Sequence, residues 1–257
     1  MESIEAMQVD SIRGFHAHHY RPGNIVVALA GAVDHDRAVD LLQAGFTGTP
    51  GGSAPLRLAP SAEPEAVSVT TRPTEQAHVV VGFPTPGRHH PDRFALSVLD
   101  HILGGGLSSR LFQEIRERRG LAYSVYSYRS AYEDAGLLAF YAGTAPGRAR
   151  EVLDRMMGEL ARMAESGATE RELAVAKGHM RGETALSLED SAARMSRIAR
   201  SQLLHGEVLE VEDVVARVEA VTLDEVARVA TEVLTQTPVL AVVGPFAEDA
   251  FAAPKVA

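Results

Sequence analysis

The chain has 257 residues, of which 46% are hydrophobic and 23% are charged, a balance typical of a globular protein with a real core. Its net charge of -9 argues against a nucleic-acid partner, because phosphate binding requires a basic surface. The absence of cysteine excludes disulfides and thiolate metal sites. No apolar run approaches the roughly 18 residues of a membrane span and no signal segment is visible, so we expect a cytoplasmic chain without a membrane partner.

The first predicted elements are a helix, a strand and a second helix. Asp10 is placed to cap the first helix, which Pro22 and Gly23 end. The continuous apolar run 25–30 predicts a strand buried on both faces. Asp34 then leads into the second helix.

The middle of the chain predicts a domain boundary. Residues 51–64 are rich in glycine and proline, which indicates a linker between a first region, 1–50, and a second, 65–257. The second region predicts an α+β fold, with strands packed under helices. Its predicted elements are strands 66–71 and 77–83, helices 92–103 and 107–118, a hairpin 123–130 and 136–143, capping boxes Thr169–Glu172 and Thr222–Glu225, and a last buried strand 239–243.

The beginning and the end of the chain repeat each other. Asp10 opens a helix that leads through a proline to an apolar run ending at Gly31, and Asp224 opens one that leads in the same way to Gly244. The interval from Asp10 to Gly31 is nearly equal to that from Asp224 to Gly244. The chain is therefore predicted to begin within one repeat and then to contain a second, complete repeat. One strand with two helices cannot close its own sheet. We therefore expect residues 1–50 to be the tail of a first α/β unit whose other strands lie upstream or in a partner.

One stretch carries a family resemblance. Residues 103–127 read LGGGLSSRLFQEIRERRGLAYSVYS, and this block resembles the insulinase/pitrilysin family of zinc metallopeptidases, in its bacterial, mitochondrial-processing-peptidase-like branch. Residues 19–24, HYRPGN, and Thr169 with Glu172 extend the resemblance along nearly the whole chain. The resemblance implies the carboxy-terminal half of a clamshell, built as an antiparallel or mixed sheet packed against helices.

The resemblance also implies a division of chemistry between the two halves. Zinc is expected in the other half, on an H-x-x-E-H motif, and none of the ten histidines here is followed three residues later by Glu-His. We therefore expect no metal in this chain. Arg116 and Tyr123 match the pair by which the family's second half reaches the substrate, with the tyrosine on the oxyanion and the arginine on backbone carbonyls. Gly120 is expected to end the helix between them, so that both face one cavity.

Structural alternatives remain for these residues. The resemblance makes Gly104, Gly105 and Gly106 candidates for contact with substrate, and a tight turn between two helices is an equal alternative. They do not match a nucleotide-binding loop. Arg116 at a helix end is also favoured by the helix dipole, and Tyr123 also fits an ordinary strand.

Two other groups of residues, a pair of arginines and a cluster of histidines, are expected to have no functional role. Arg118 and Arg119 are predicted to be neutral surface residues. His16, His18 and His19 are not expected to bind a metal, because no nearby carboxylate completes a ligand set.

Three functions follow from the sequence. The first is a substrate-binding half of a metalloendopeptidase that acts on peptides with a zinc-bearing partner half and is inactive alone. The second is a non-catalytic interaction or assembly subunit, and the third is a truncated, inactive product. The presence of both Arg116 and Tyr123 favours the first.

Overall fold

The computed structural model describes residues 2–46 and 65–254, which fold as two compact units. The first unit contains residues 2–46 together with Ala185–Glu210, and the second contains residues 65–184 and 211–254. The predicted linker, 51–64, lies outside the described residues.

Most of the described chain is helical. The α-helices are α1 (Glu2–Glu5), α2 (Val9–His19), α3 (His35–Phe46), α4 (Arg93–Leu103), α5 (Ala149–Ser166), α6 (Glu170–Ser187), α7 (Ser191–His205), α8 (Val211–Ala220) and α9 (Leu223–Leu234). A π-helix spans Phe112–Arg118, and short 3-10 helices span Pro22–Asn24 and Pro146–Arg148. The strands are β1 (Val67–Thr71), β2 (Ala77–Thr85), β3 (Ala122–Ala131), β4 (Gly136–Thr144) and β5 (Val239–Gly244).

The five strands form one mixed sheet in the order β1-β5-β2-β4-β3. The β1–β5 pair is parallel, and the other pairs are antiparallel. Along β2, Ala77, Val79, Val81 and Phe83 are fully buried, while the alternate residues His78, Val80 and Pro84 are partly or fully open, so one face of the sheet is covered. Helices α5 and α9 pack against this sheet, which confirms the predicted α+β class.

The hydrophobic core lies in the second unit. Phe83, Leu99, Phe140 and Leu160 are among its fully buried side chains, each worth about 1.5–3 kcal/mol relative to exposure. By contrast, no described residue of the first unit is buried, and α2, α3 and α7 bury no side chain. The second unit is therefore stabilised by a buried apolar core, whereas the described residues of the first unit bury almost no apolar surface completely.

Both predicted capping boxes are present. The Thr222 side chain accepts from the Glu225 backbone, and the Glu225 carboxylate accepts from the Thr222 N–H at 2.8 Å. Thr169 and Glu172 exchange the same bonds at the start of α6. The predicted cap at Asp10 is wrong, because α2 starts at Val9 after Gln8, with no side-chain cap.

The predicted buried strand at residues 25–30 is also wrong. These residues belong to no strand ladder, and Val26, Val27 and Leu29 are exposed to 36%, 47% and 51%. The backbone at Ile25 is extended, with φ -122° and ψ 130°, as an apolar run favours. A strand also needs a neighbour that pairs with its N–H and C=O groups, and the described residues supply none here.

Within the described residues, no helix combines the length and the apolar character that crossing a membrane requires.

Candidate functional site

Arg116 and Tyr123 are brought together by the π-helix and the turn that follows it. Gly120 has φ 58°, the left-handed conformation expected of a helix stop, and its N–H donates to the Arg116 carbonyl at 3.0 Å. The Arg116 guanidinium carbon lies 4.8 Å from the centre of the Tyr123 ring and 4.7 Å from that of Phe112. The predicted pair is thus in cation–π contact, and its arginine lies on a helix type that is frequent at functional sites.

Tyr123 stands at an irregular position of the sheet. The β3–β4 register shifts between Ala122 and Ser124, so Tyr123 occupies a β-bulge at the start of the strand. Bulges redirect a side chain out of the regular alternation of a strand. Tyr123 is 76% exposed, an environment unlike that of a core aromatic.

The uncovered face of the sheet carries further polar aromatic residues. Tyr126 and Tyr141 are cross-strand neighbours with ring centres 4.8 Å apart, and Tyr128 lies 6.2 Å from Tyr126. The Tyr141 hydroxyl lies 2.8 Å from His78 Nδ1. Burial, assisted by Tyr126, raises the pKa of Tyr141. Sequence reasoning missed this group, although the Tyr-x-Tyr alternation of β3 places two of its members on one face.

Arg119 lies at the surface, as the sequence predicts, and it is also paired with a nearly buried carboxylate. Its Nε donates at 2.5 Å to Glu114, which is only 8% exposed, and Arg118 lies 3.4 Å from the other carboxylate oxygen. The hydrogen bond from Arg119 is the main cause that lowers the pKa of Glu114. Removing Arg119 would leave a nearly buried carboxylate without its closest partner.

The three glycines after α4 have different surroundings. A Cβ on Gly104 would lie 2.4 Å from the backbone nitrogen of Ser127, and one on Gly105 would lie 2.7 Å from the Cα of His101. Close packing therefore accounts for glycine at both positions. Gly106 is open, with only the His179 ring within 4 Å of such an atom. The contact with substrate stays a prediction for all three.

A polar network lies under this glycine turn. Ser127 Oγ donates to Asp100 Oδ1 at 2.5 Å, and the Arg129 guanidinium donates at 2.7 Å to Ser97 Oγ. Burial raises the pKa of Asp100, against the opposing effect of the Ser127 hydrogen bond. The network fixes the end of α4 on β3 and thereby the position of the glycine turn.

Arg110 connects the same block of sequence to the start of α6. Its guanidinium donates to both carboxylate oxygens of Glu172, at 2.6 and 2.9 Å, and to the Gly167 carbonyl at 2.8 Å. Burial opposes ionisation of Glu172, but the hydrogen bonds from Arg110 and Thr169 outweigh it and lower its pKa to about 2. This bidentate pair is the strong form of a charge-assisted bond.

A cavity of about 400 Å³ opens beside the glycine turn. Gly105 and Gly106 line it, together with His101 and His179, whereas the Arg116–Tyr123 pair is not among its lining residues. The cavity that Arg116 and Tyr123 are predicted to share is therefore not this one. The two histidines and the neighbouring Glu183 were missed because they are distant in sequence; only the His-x-x-x-Glu spacing on α6 is a local signal.

Comparison with known proteins gives a consistent result. Residues 6–180 match the family described as the peptidase M16 inactive domain. Proteins described as uncharacterized zinc proteases are similar in sequence: that of Streptomyces coelicolor is 45% identical over 253 residues, and that of Bacillus subtilis is 34% identical over 244. Each match covers 95% of this chain but only 55% and 59% of the relative, so the chain spans little more than half their length.

A solved structure extends the match to the fold. The crystal structure of a peptidase M16 inactive domain from Pseudomonas fluorescens superposes with a TM-score of 0.85 at 26% identity, over 96% of this chain and 59% of that one. The chain therefore belongs to the M16 peptidase family, the zinc-protease family that its sequence resembles, and contains the family's inactive domain.

Proposed function

We propose that this chain is the half of an M16 metalloendopeptidase that binds and orients the peptide, while a separate or upstream half supplies the zinc. The observation that carries the proposal is the contact between Arg116 and the highly exposed Tyr123. Neither residue is needed there for a core, and both offer groups that suit a peptide carbonyl.

The chemistry of the pair fits hydrolysis of a peptide bond. A tyrosine hydroxyl donates a hydrogen bond to the oxyanion that develops at the scissile carbonyl. The Arg116 guanidinium is flanked by the Phe112 and Tyr123 rings, which engage its faces and leave N–H groups at its edge for substrate carbonyls. Tyr126 and Tyr128, on the uncovered face of the same strand, add surface for peptide side chains.

The first unit supports the need for a partner half. Ile12 and Phe15 on α2 are exposed to 54% and 59%, and the apolar run 25–30 has no ladder partner in the described chain. Exposed apolar surface of this kind is typical of an interaction site. In this proposal residues 1–50 complete a sheet contributed by the zinc-bearing half, and residues 65–257 form the carboxy-terminal domain.

The test is a reconstituted enzyme. The part of the Streptomyces coelicolor relative outside the match is a source of the other half, to be mixed with this chain and assayed on an unfolded peptide. Tyr123→Phe keeps the ring but removes the hydroxyl, so kcat should fall about 100-fold with little change in KM. Arg116→Ala should mainly raise KM, because it holds the substrate in ground and transition states alike.

Tyr132→Phe is the matched control, since Tyr132 is also exposed, at 63%, but lies just beyond the far end of β3. It should leave kcat unchanged, and the isolated chain should hydrolyse nothing. A kcat within twofold of the parent for Tyr123→Phe would refute the catalytic role. If the two halves still associate and Leu29→Asp abolishes that association, the assembly-subunit alternative would replace it.

A further inference from the structure

His101, His179 and Glu183 meet at the edge of the cavity beside the glycine turn. His101 lies in the last turn of α4, and His179 and Glu183 are four residues apart on α6, so they share one face of that helix. Glu183 Oε2 lies 3.2 Å from His101 Nε2 and 3.6 Å from His179 Nδ1. One carboxylate oxygen thus faces both imidazoles.

The two separations from Glu183 match those of ligands around one metal ion. Zinc binds nitrogen and oxygen at about 2.0–2.2 Å in tetrahedral geometry, which places two ligand atoms about 3.3 Å apart. The two distances measured to Glu183 Oε2, 3.2 and 3.6 Å, lie on either side of that value. The three ligand atoms all lie within 4.8 Å of one another, so a small rotation of the half-exposed His179 ring closes the set.

The surroundings leave room for a further ligand. The cavity that His101 and His179 line is also lined by Gly106, where the nearest atoms to an added Cβ would be those of the His179 ring, at 3.8 Å. Gly105 packs directly on His101, since a Cβ there would lie 2.7 Å from its Cα and 3.0 Å from its ring. A hydrogen bond to Glu183 would need only one of the two imidazoles beside its carboxylate oxygen. A metal ion at this place would be bound by both imidazoles together with the carboxylate.

We propose that His101, His179 and Glu183 bind one divalent metal ion of the Zn²⁺ class. Two neutral imidazoles and one carboxylate are a ligand set of zinc and of its neighbours Co²⁺ and Ni²⁺. The ion joins the end of α4 to α6 and leaves its remaining position open to the cavity. This site does not use the H-x-x-E-H motif of the family and is independent of the proposed peptidase role.

The test is titration of the metal-free full chain with Co²⁺, followed by its visible absorption and by competition with Zn²⁺. We expect one saturable site with the intense bands of a four- or five-coordinate ion, and displacement by one equivalent of Zn²⁺. His179→Gln and Glu183→Gln, both at well-exposed positions, should each weaken binding by about 100-fold. Far-UV circular dichroism checks that the variants fold.

Two controls separate this site from adventitious binding. His89→Ala removes a histidine from another histidine–carboxylate pair, with Glu133 at 3.3 Å, and should leave the affinity unchanged. The triple change His16→Ala, His18→Ala and His19→Ala should also leave it unchanged. Absence of saturable binding at millimolar Co²⁺, or binding that survives His179→Gln and Glu183→Gln, or binding lost only in the triple variant, would overturn the proposal.

Discussion

Residues 9–31 and 223–244 carry one sequence pattern, a helix followed by a proline and an apolar run that ends in glycine, and they fold to different extents. The later copy forms α9 and β5, where Leu240 and Val242 are 1% exposed between two neighbouring strands. The earlier copy forms α2 and an extended run whose Leu29 is half exposed and has no ladder partner in the described chain. Apolar composition thus specifies which segment extends, and the neighbouring strands decide whether it becomes part of a sheet.

The two copies are expected to differ most in the stability that is lost when a leucine is replaced by alanine. Leu240→Ala should lower the free energy of unfolding by about 2–5 kcal/mol, because it removes packing from the covered face of the central sheet. Leu29→Ala, the same change in the earlier copy, should stay within about 0.5 kcal/mol. Urea unfolding followed by circular dichroism measures both. Equal losses would show that residues 25–30 are buried in solution.

A smaller difference is expected in how ion pairs of the two units make stability depend on pH. Since the pKa of Glu172 lies at about 2 in the fold instead of its usual 4.5, its bond to Arg110 stabilises fully above about pH 4.5 and is lost as the pH falls towards 2. Between pH 5.5 and pH 3, the parent should lose about 1–2 kcal/mol more stability than Glu172→Gln.

The matched control lies in the first unit. Asp10 and Arg13 are 3.2 Å apart, but their side chains are 91% and 76% exposed, so Asp10→Asn should follow the parent at every pH. Identical pH profiles for the parent and Glu172→Gln would mean that the Arg110 pair does not hold its geometry in solution.

The smallest expected difference is in the stability lost when the residue before α9 or before α2 is replaced. Thr222→Ala removes the cap of α9 and should cost about 1 kcal/mol, whereas Gln8→Ala should cost nothing, since Gln8 makes no cap bond on α2. Thermal unfolding of the two variants against the parent resolves this. A loss of stability in Gln8→Ala would indicate tertiary contacts of α2 beyond those described.

The fold of the second unit was largely predictable because its signals are local. Alternating or continuous apolar runs gave β1 to β5 within two residues at each end, and the Thr-x-x-Glu spacing gave the starts of α6 and α9. The run 25–30 misled because an apolar pattern does not reveal whether partner strands exist. The π-helix, predicted as part of an ordinary helix, has no local signature that composition reveals.

The candidate site was predictable only in part. Arg116 and Tyr123 came from a contiguous block, and the structure places them in contact. Their roles in catalysis stay predictions. His101 is brought to His179 by the tertiary packing of α4 near α6, and two histidines so far apart in sequence give no pattern to search for. The ion pair of Arg119 with Glu114 was missed for a similar reason, since only the fold shows that Glu114 is nearly buried.

The position of β5 has a consequence for the order in which the molecule is built. This strand lies between β1 and β2, yet it is the last of the described strands, and β1 has no ladder with any other of them. During synthesis on the ribosome, β1 and β2 leave the exit tunnel long before the strand that joins them. Such distant pairing makes folding slow and keeps intermediates prone to aggregation. The sheet thus reaches its final form only after β5 has been translated, so the nascent chain exposes the edge of β1 until that point.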